Sequence, residues 1–223
     1  MIFCKNTSTA LFFSSVDKIP SKTWEILQCE NNVYFHKNFL KSIEKNHPDI
    51  IFSYIILVDK NDIPIAFSSI QIIDFHLNSM QNDFDFLKNV GRKLHILKEN
   101  KPLKLLISGN TFVSGEHGVF IKENQNKKTV IKELAKAILH FVNADKTLKI
   151  DAFLLKDFVN ESLFITDELK SFSYNPFSVE PNMVLQLDEN WHSFDDYLAA
   201  MKTKFRVKAR KAFKQSATLE IED

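Results

Sequence analysis

Residues 103–121, LKLLISGNTFVSGEHGVFI, hold three of the four glycines in the chain: Gly109, Gly115 and Gly118, with Gly91 the fourth. Leu103, Leu105, Leu106 and Ile107 form a short apolar run that predicts a buried strand, and Val119 to Ile121 predicts another. A chain with four glycines in 223 residues has few positions that take positive φ without strain. Placing three of them between two apolar runs marks a connection dictated by backbone sterics, or one that a ligand approaches closely. Asn110, Glu116 and His117 supply the polar groups of this connection and are the candidate substrate-binding residues. His117 stands where a general base can sit near its substrate, and a plain surface-loop histidine is the other reading. Both stay open at this point.

Outward from that stretch, the composition is that of an ordinary globular protein, 44% hydrophobic and 26% charged. Phenylalanine is abundant, with 21 residues; each buried ring adds roughly 1.5–3 kcal/mol, enough for a sizeable core. A net charge of +1 exerts no global pull on nucleic acid or membrane, so an electrostatic partner needs a local patch. Cys4 and Cys29 cannot build a disulfide framework and read as reduced thiols of a cytoplasmic protein. None of the seven histidines pairs at HxxxH or with cysteine at metal spacing, so no metal is expected. The N-terminus MIFCKNTSTALFF lacks a basic segment followed by a continuous apolar one, and no run approaches the roughly 20 apolar residues of a membrane span. No Gly-x-Ser-x-Gly elbow or Walker loop is present, which removes two large enzyme classes.

In chain order, Ile2–Lys5 predicts a short strand and Leu11–Phe13 an apolar patch. Pro20-Ser21 opens a helix with Ser21 as its N-cap, and a second helix over 37–46 ends at His47-Pro48. Ile50–Val58 and Ile65–Phe75 flank a polar turn and predict an antiparallel hairpin. Steps of three and four from Leu77 to Leu97 predict an amphipathic helix over 77–98. Beyond the glycine-rich stretch come a helix within 124–145, a strand at 150–155, a short helix at 161–170 and a strand at 183–187. Alternating helices and strands after residue 100, with an antiparallel hairpin before, predict a mixed-sheet α/β or α+β fold.

The last element, residues 193–214, predicts one helix. Ser193 and Asp196 suit a capping box. Phe194, Leu198, Met201, Phe205, Ala209 and Ala212 share one face, and Lys202, Lys204, Arg206, Lys208, Arg210, Lys211 and Lys214 lie opposite. Acidic residues lead and basic ones trail, as a helix dipole prefers. A solvated charged face is one reading. The other is an anionic partner, since a block this dense without a carboxylate repels itself.

Taken together, YFHKNFLKSIEKN (34–46), DKNDIPIAFSSIQ (59–71), ISGNTFVSGEHG (107–118) and EPNMVLQL (180–187) followed by WHSFDDYLAAMKTKFRVKARKAFK (191–214) resemble the first half of a Fem-type protein. That family contains bacterial peptidoglycan-associated aminoacyltransferases and FemAB-like relatives built from GNAT-like (N-acetyltransferase-type) domains. The resemblance implies a GNAT-like domain over 1–192, with a mixed central sheet flanked by helices. It also implies that 193–223 lead, by a basic helix and the start of a strand, into a second GNAT-like domain absent from this sequence. The implied activity is transfer of an acyl or aminoacyl group to an amine, from acyl-CoA or aminoacyl-tRNA as co-substrate of a longer protein. Transfer RNA or another polyanion would meet Lys204, Arg206, Lys208, Arg210 and Lys211. The alternative is a non-catalytic GNAT-like module that recognises an anionic or glycan partner. One departure stands out. The phosphate loop of a coenzyme A-binding GNAT domain, (Arg/Gln)-x-x-Gly-x-(Gly/Ala), corresponds here to KENQNKKT (122–129). With Gln125 at its first position, Lys128 and Val130 fall where small residues belong. Lys127 and Lys128 can still attract phosphate, but no tight coenzyme A cradle is expected, and no catalytic residue is assigned.

Overall fold

A computed structural model describes residues 2–3, 8–75, 102–177, 185–217 and 219. The chain divides into two compact units, Met1–Pro176 and Phe177–Asp223. The first is a mixed α/β unit around one sheet with strand order β1-β2-β3-β4-β5-β7, in which β6 also pairs with β4. The strands are β1 (Ile2–Phe3), β2 (Ser8–Phe13), β3 (Ile51–Asp59), β4 (Pro64–Phe75), β5 (Leu103–Ser108), β6 (Val119–Ile121) and β7 (Ala152–Leu155).

The hairpin β3–β4 is the sheet's centre and is antiparallel, as its flanking turn residues predict. Asp59 closes that turn: its Oδ1 accepts from the backbone N–H of Asn61 (2.8 Å) and Ile63 (3.0 Å). Both strands are almost continuously apolar because both faces are covered. On one face Ile55, Leu57, Ala66, Ile70 and Ile72 pack with Leu106 against α3 (Lys127–Ala144), through Val130, Ile131, Leu134, Ala137 and Ile138. On the other, Tyr54, Ile56, Val58 and Phe67 pack against Trp24 and Leu27 of α1 (Ser21–Leu27) and Leu40 of α2 (Lys37–Asn46). The period-two alternation of side chains thus divides one apolar run between two cores.

Three details differ from the sequence reading. Ser21 does not cap α1: it is the first helical residue, Pro20 occupies the cap position, and the proline ring has no acceptor for a cap bond. The single helix expected over 193–214 is two, α5 (Phe194–Ala200) and α6 (Thr203–Ser216). Met201 (φ −65°, ψ 144°) and Lys202 (φ −54°, ψ 139°) are extended between them. Of the strand expected at 183–187, residues 185–187 carry no regular structure, and 183–184 lie outside the described residues, as do 76–101 with the expected helix over 77–98. The segment expected as a short helix over 161–170 contains α4 (Leu163–Thr166), flanked by two 3-10 turns.

Candidate functional site

β5 and β6 are one strand interrupted. Ile70 of β4 faces Ser108 and Ser68 faces Val119, so the ten residues 109–118 leave the ladder and return almost to where they left. Ser69 bridges the gap: its N–H donates to the Gly118 carbonyl (3.1 Å) and its own carbonyl accepts from Gly109 N–H (3.2 Å). At the pinch, a Cβ on Gly118 would overlap the Ser108 carbonyl group, so only glycine closes the loop. Gly115, at φ +115°, provides the left-handed turn at the loop's far end.

β7 runs parallel to β5, with Leu105 to Ser108 facing Ala152 to Leu155. In open α/β sheets the crevice beyond the carboxyl ends of parallel strands is where ligands bind. Here that crevice is occupied by the loop 109–118 and by the residues after β7. Lys156, 20% exposed, donates from Nζ to the carbonyls of Asn110 (2.9 Å) and Val113 (3.0 Å) and pairs with Asp157. Asp157 Oδ2 accepts from Gly115 N–H (3.1 Å), and Glu116 Oε2 accepts from Val159 N–H (3.1 Å). Buried Gln71 of β4 accepts from Thr111 N–H (2.9 Å), buried Asn110 accepts from Phe112 N–H (2.8 Å), and Phe112 stacks on His47 at 4.1 Å. The buried hydroxyls of Ser68 and Ser108 meet at 3.0 Å beneath the loop. The loop is therefore fastened at its base, its middle and its tip.

His117 sits on the inner side of this loop. Its ring lies 4.0 Å from the Tyr34 ring, tilted by 35°, and its Nδ1 is 3.4 Å from Asn32 Nδ2. Desolvation lowers its pKa from the ordinary 6.5, with Lys156 acting in the same direction; the Ser114 backbone, Asp157 and Glu116 oppose the shift. The ring is thus favoured as neutral imidazole, a form that accepts a proton. Asn110, Glu116 and His117 share this one loop, and each is held by a different partner: Phe112 N–H, Val159 N–H and Asn32 with Tyr34. The side chains that fasten the loop, Lys156, Asp157, Gln71 and Asn32, were not singled out from sequence. A Lys-Asp pair directly after a strand expected to be parallel was the available signal for the first two; Asn32 and Gln71 carried none.

The other candidates lie elsewhere. Lys127 and Lys128 open α3, where Asn126 is the N-cap and its Oδ1 accepts from Thr129 N–H (3.0 Å). Lys128 Nζ pairs with Glu168 at 3.8 Å, and Lys132 shares that carboxylate. Val130 belongs to the core. These residues do not fit a coenzyme A phosphate: the helix start is capped by its own side chain, and the crevice beyond β5 and β7 is filled by the protein. Among the described residues no cluster of three or more His, Cys, Asp or Glu side chains could hold a metal ion. No described helix is long and apolar enough to cross a membrane.

In the second unit, α5 opens with the expected capping box between Ser193 and Asp196. α6 is lined by Lys204, Arg206, Lys208, Arg210, Lys211 and Lys214, and no residue of it is buried. Among the described residues none of these cations pairs with a carboxylate. Arg206 alone has a local role, donating to the Ala199 carbonyl (3.0 Å) and lying 3.4 Å from Thr203 Oγ1, which ties α6 to the end of α5.

No family model and no curated protein matches this sequence. Among solved structures, a tetramutant of the protein BH1408 from Bacillus halodurans is similar with a TM-score of 0.49 at 11% identity, over 79% of this chain and 99% of its own. An aminoglycoside N-acetyltransferase, AAC(6')-Iy in complex with CoA, is similar at 0.44 and 10% identity, over 85% and 100%. AAC(6')-Ih from Acinetobacter baumannii, an aminoglycoside 6'-N-acetyltransferase, is similar at 0.41 and 11%, over 82% and 99%. At TM-scores under 0.5 and these identities, the likenesses carry nothing about the chemistry of this chain's own residues.

Proposed function

We propose that this chain is part of a Fem-like N-acyltransferase or aminoacyltransferase of GNAT type, one that takes its acyl group from a nucleic acid-borne donor and passes it to an amine. The observation that carries this reading is α6, whose cations have no carboxylate partner among the described residues. The poor fit of coenzyme A to the start of α3 points the same way, leaving aminoacyl-tRNA as the donor class the basic helix can meet. Bacterial cell-wall peptidoglycan supplies the acceptor amines in this reading, which places the protein in the cytoplasm and joins it to a second GNAT-like domain beyond 193–223. Asn110, Glu116 and His117 are the proposed acceptor contacts, with neutral His117 available to take the amine's proton.

Binding to unfractionated transfer RNA at low salt tests the reading, with Lys208, Arg210 and Lys211 changed together to Ala. Arg206 is kept, because its bond to Ala199 makes it structural as well as cationic. The expected result is a marked loss of RNA affinity with the melting temperature preserved, since exposed charges contribute little to folding. Equal RNA binding by the variant and the parent chain would overturn the basic-helix assignment. One observation favours a second reading, that of a non-catalytic module recognising an anionic or glycan partner: the polar groups beyond β5 and β7 already satisfy one another. Aminoacyl transfer to a muropeptide amine, assayed with the longer protein, separates the two.

A further inference from the structure

A cavity of about 270 Å³ opens between the start of β2, the β3–β4 turn and the first turns of α3. It shares no lining residue with the loop 109–118. Ser8, Asp59, Ile65, Thr129, Val130 and Glu133 line it, with Gln125 and Asn126 at the helix start. Glu133 and Ser8 are each only 8% exposed, and among the described residues each has an oxygen without a partner, Glu133 Oε2 and Ser8 Oγ. A glutamate buried to this degree is rare unless its charge is matched. Lys136 matches one oxygen, Oε1, at 2.7 Å; the other is left over. A buried acceptor left over among the described residues is a place where a donor can bind, water or a ligand.

The other lining groups do not supply it. Among the described residues neither the Thr129 hydroxyl nor the Asn126 amide nitrogen bonds Glu133 Oε2, Gln125 Nε2 is 3.2 Å from Asn124 Oδ1, and Asp59 brings a second carboxylate. The cavity is therefore rich in acceptors, and its formal charge is negative among the described residues. Its other walls, Ile65 and Val130, are apolar. A metal ion would lack ligands, since no cluster of three acidic, His or Cys side chains surrounds it among the described residues. A charged donor head on an aliphatic body matches both halves of the lining. The volume is just under the roughly 300–1,000 Å³ of ordinary ligand pockets, which restricts the body to a few carbons.

We propose that this cavity is a binding site for a small alkylammonium group, its N–H donors meeting Glu133 Oε2 and Ser8 Oγ and its carbons lying on Ile65 and Val130. The site is separate from the function proposed above and stands without it. The test is calorimetric titration of the full chain with n-butylammonium chloride, with n-butanol as the uncharged control. Saturable binding in roughly the millimolar range is expected for the ammonium, and none for the alcohol. Glu133→Gln keeps the shape and removes the charge, and should weaken binding about tenfold or more. If that variant does not fold, Thr129→Trp at the exposed mouth decides, and should block binding while melting like the parent. Absence of saturable binding, showing that water alone fills the cavity, overturns the proposal. So does binding that survives both substitutions, or that the alcohol reproduces.

Discussion

Gly118 and His117, neighbours in sequence, fail in different ways when changed. A methyl group at Gly118 meets the Ser108 carbonyl and the Gly109 amide, which are backbone atoms of the adjoining strand and cannot rotate aside. Gly118→Ala is expected to destabilise the protein by about 1–3 kcal/mol, at the upper end of overpacking costs; chemical denaturation measures it. His117 acts through protonation. Its pKa is lower in the folded protein than in the unfolded chain, so the unfolded chain takes up the proton first as pH falls. The stability His117 contributes is complete above the ordinary value of 6.5 and is lost as pH falls through the folded-state pKa. His117→Gln should flatten the stability curve between the ordinary value and the lowered folded-state pKa. An unchanged slope would show that the ring's surroundings do not favour its neutral form.

At the scale of elements, the break between α5 and α6 changes how the cations are to be understood. With one helix over 193–214, Asp195 and Asp196 would balance the basic tail through the dipole. In two helices that balance belongs to α5 alone. α6 has no acidic residue in its first turn and begins with Lys204 and Arg206 close to its own positive end. The dipole therefore does not explain the position of these cations. The break itself is testable. Lys202 has φ −54° and follows an extended Met201, the backbone that proline and its preceding residue adopt. Lys202→Pro should change stability by no more than about 0.5 kcal/mol and leave helical circular dichroism intact. In a continuous helix the same change would cost about 3 kcal/mol.

Over the whole molecule, a net charge of +1 conceals an uneven distribution. Carboxylates of the first unit are spent on local partners, such as Asp17 with Lys41, Glu168 with Lys132 and Asp157 with Lys156. Among the described residues the cations of α6 have no carboxylate partner. Attraction to a polyanion should therefore be local and steeply salt-dependent, with the logarithm of affinity falling by roughly 0.7–0.9 per phosphate neutralised for each logarithmic unit of salt. Removing Lys208, Arg210 and Lys211 should lower that slope by roughly two to three. An unchanged slope would mean that other cations carry the binding.

The sequence by itself determined the central hairpin, the capping box at Ser193 and the special backbone of residues 109–118. Each rests on near-neighbour chemistry: apolar periodicity, side-chain caps and the scarcity of glycine. Only the tertiary structure decided that β5 and β6 are one interrupted strand, because that depends on both pairing with β4, whose partners lie 28 to 55 positions away in sequence. It likewise decided that Lys156 and Asp157 fasten the loop, that Asn32 reaches His117 across 85 residues, and that Glu133 is buried with an oxygen unmatched. A helical pattern shows which face a glutamate lies on. It does not show whether a cavity or another strand covers that face, since this is set by elements distant in sequence.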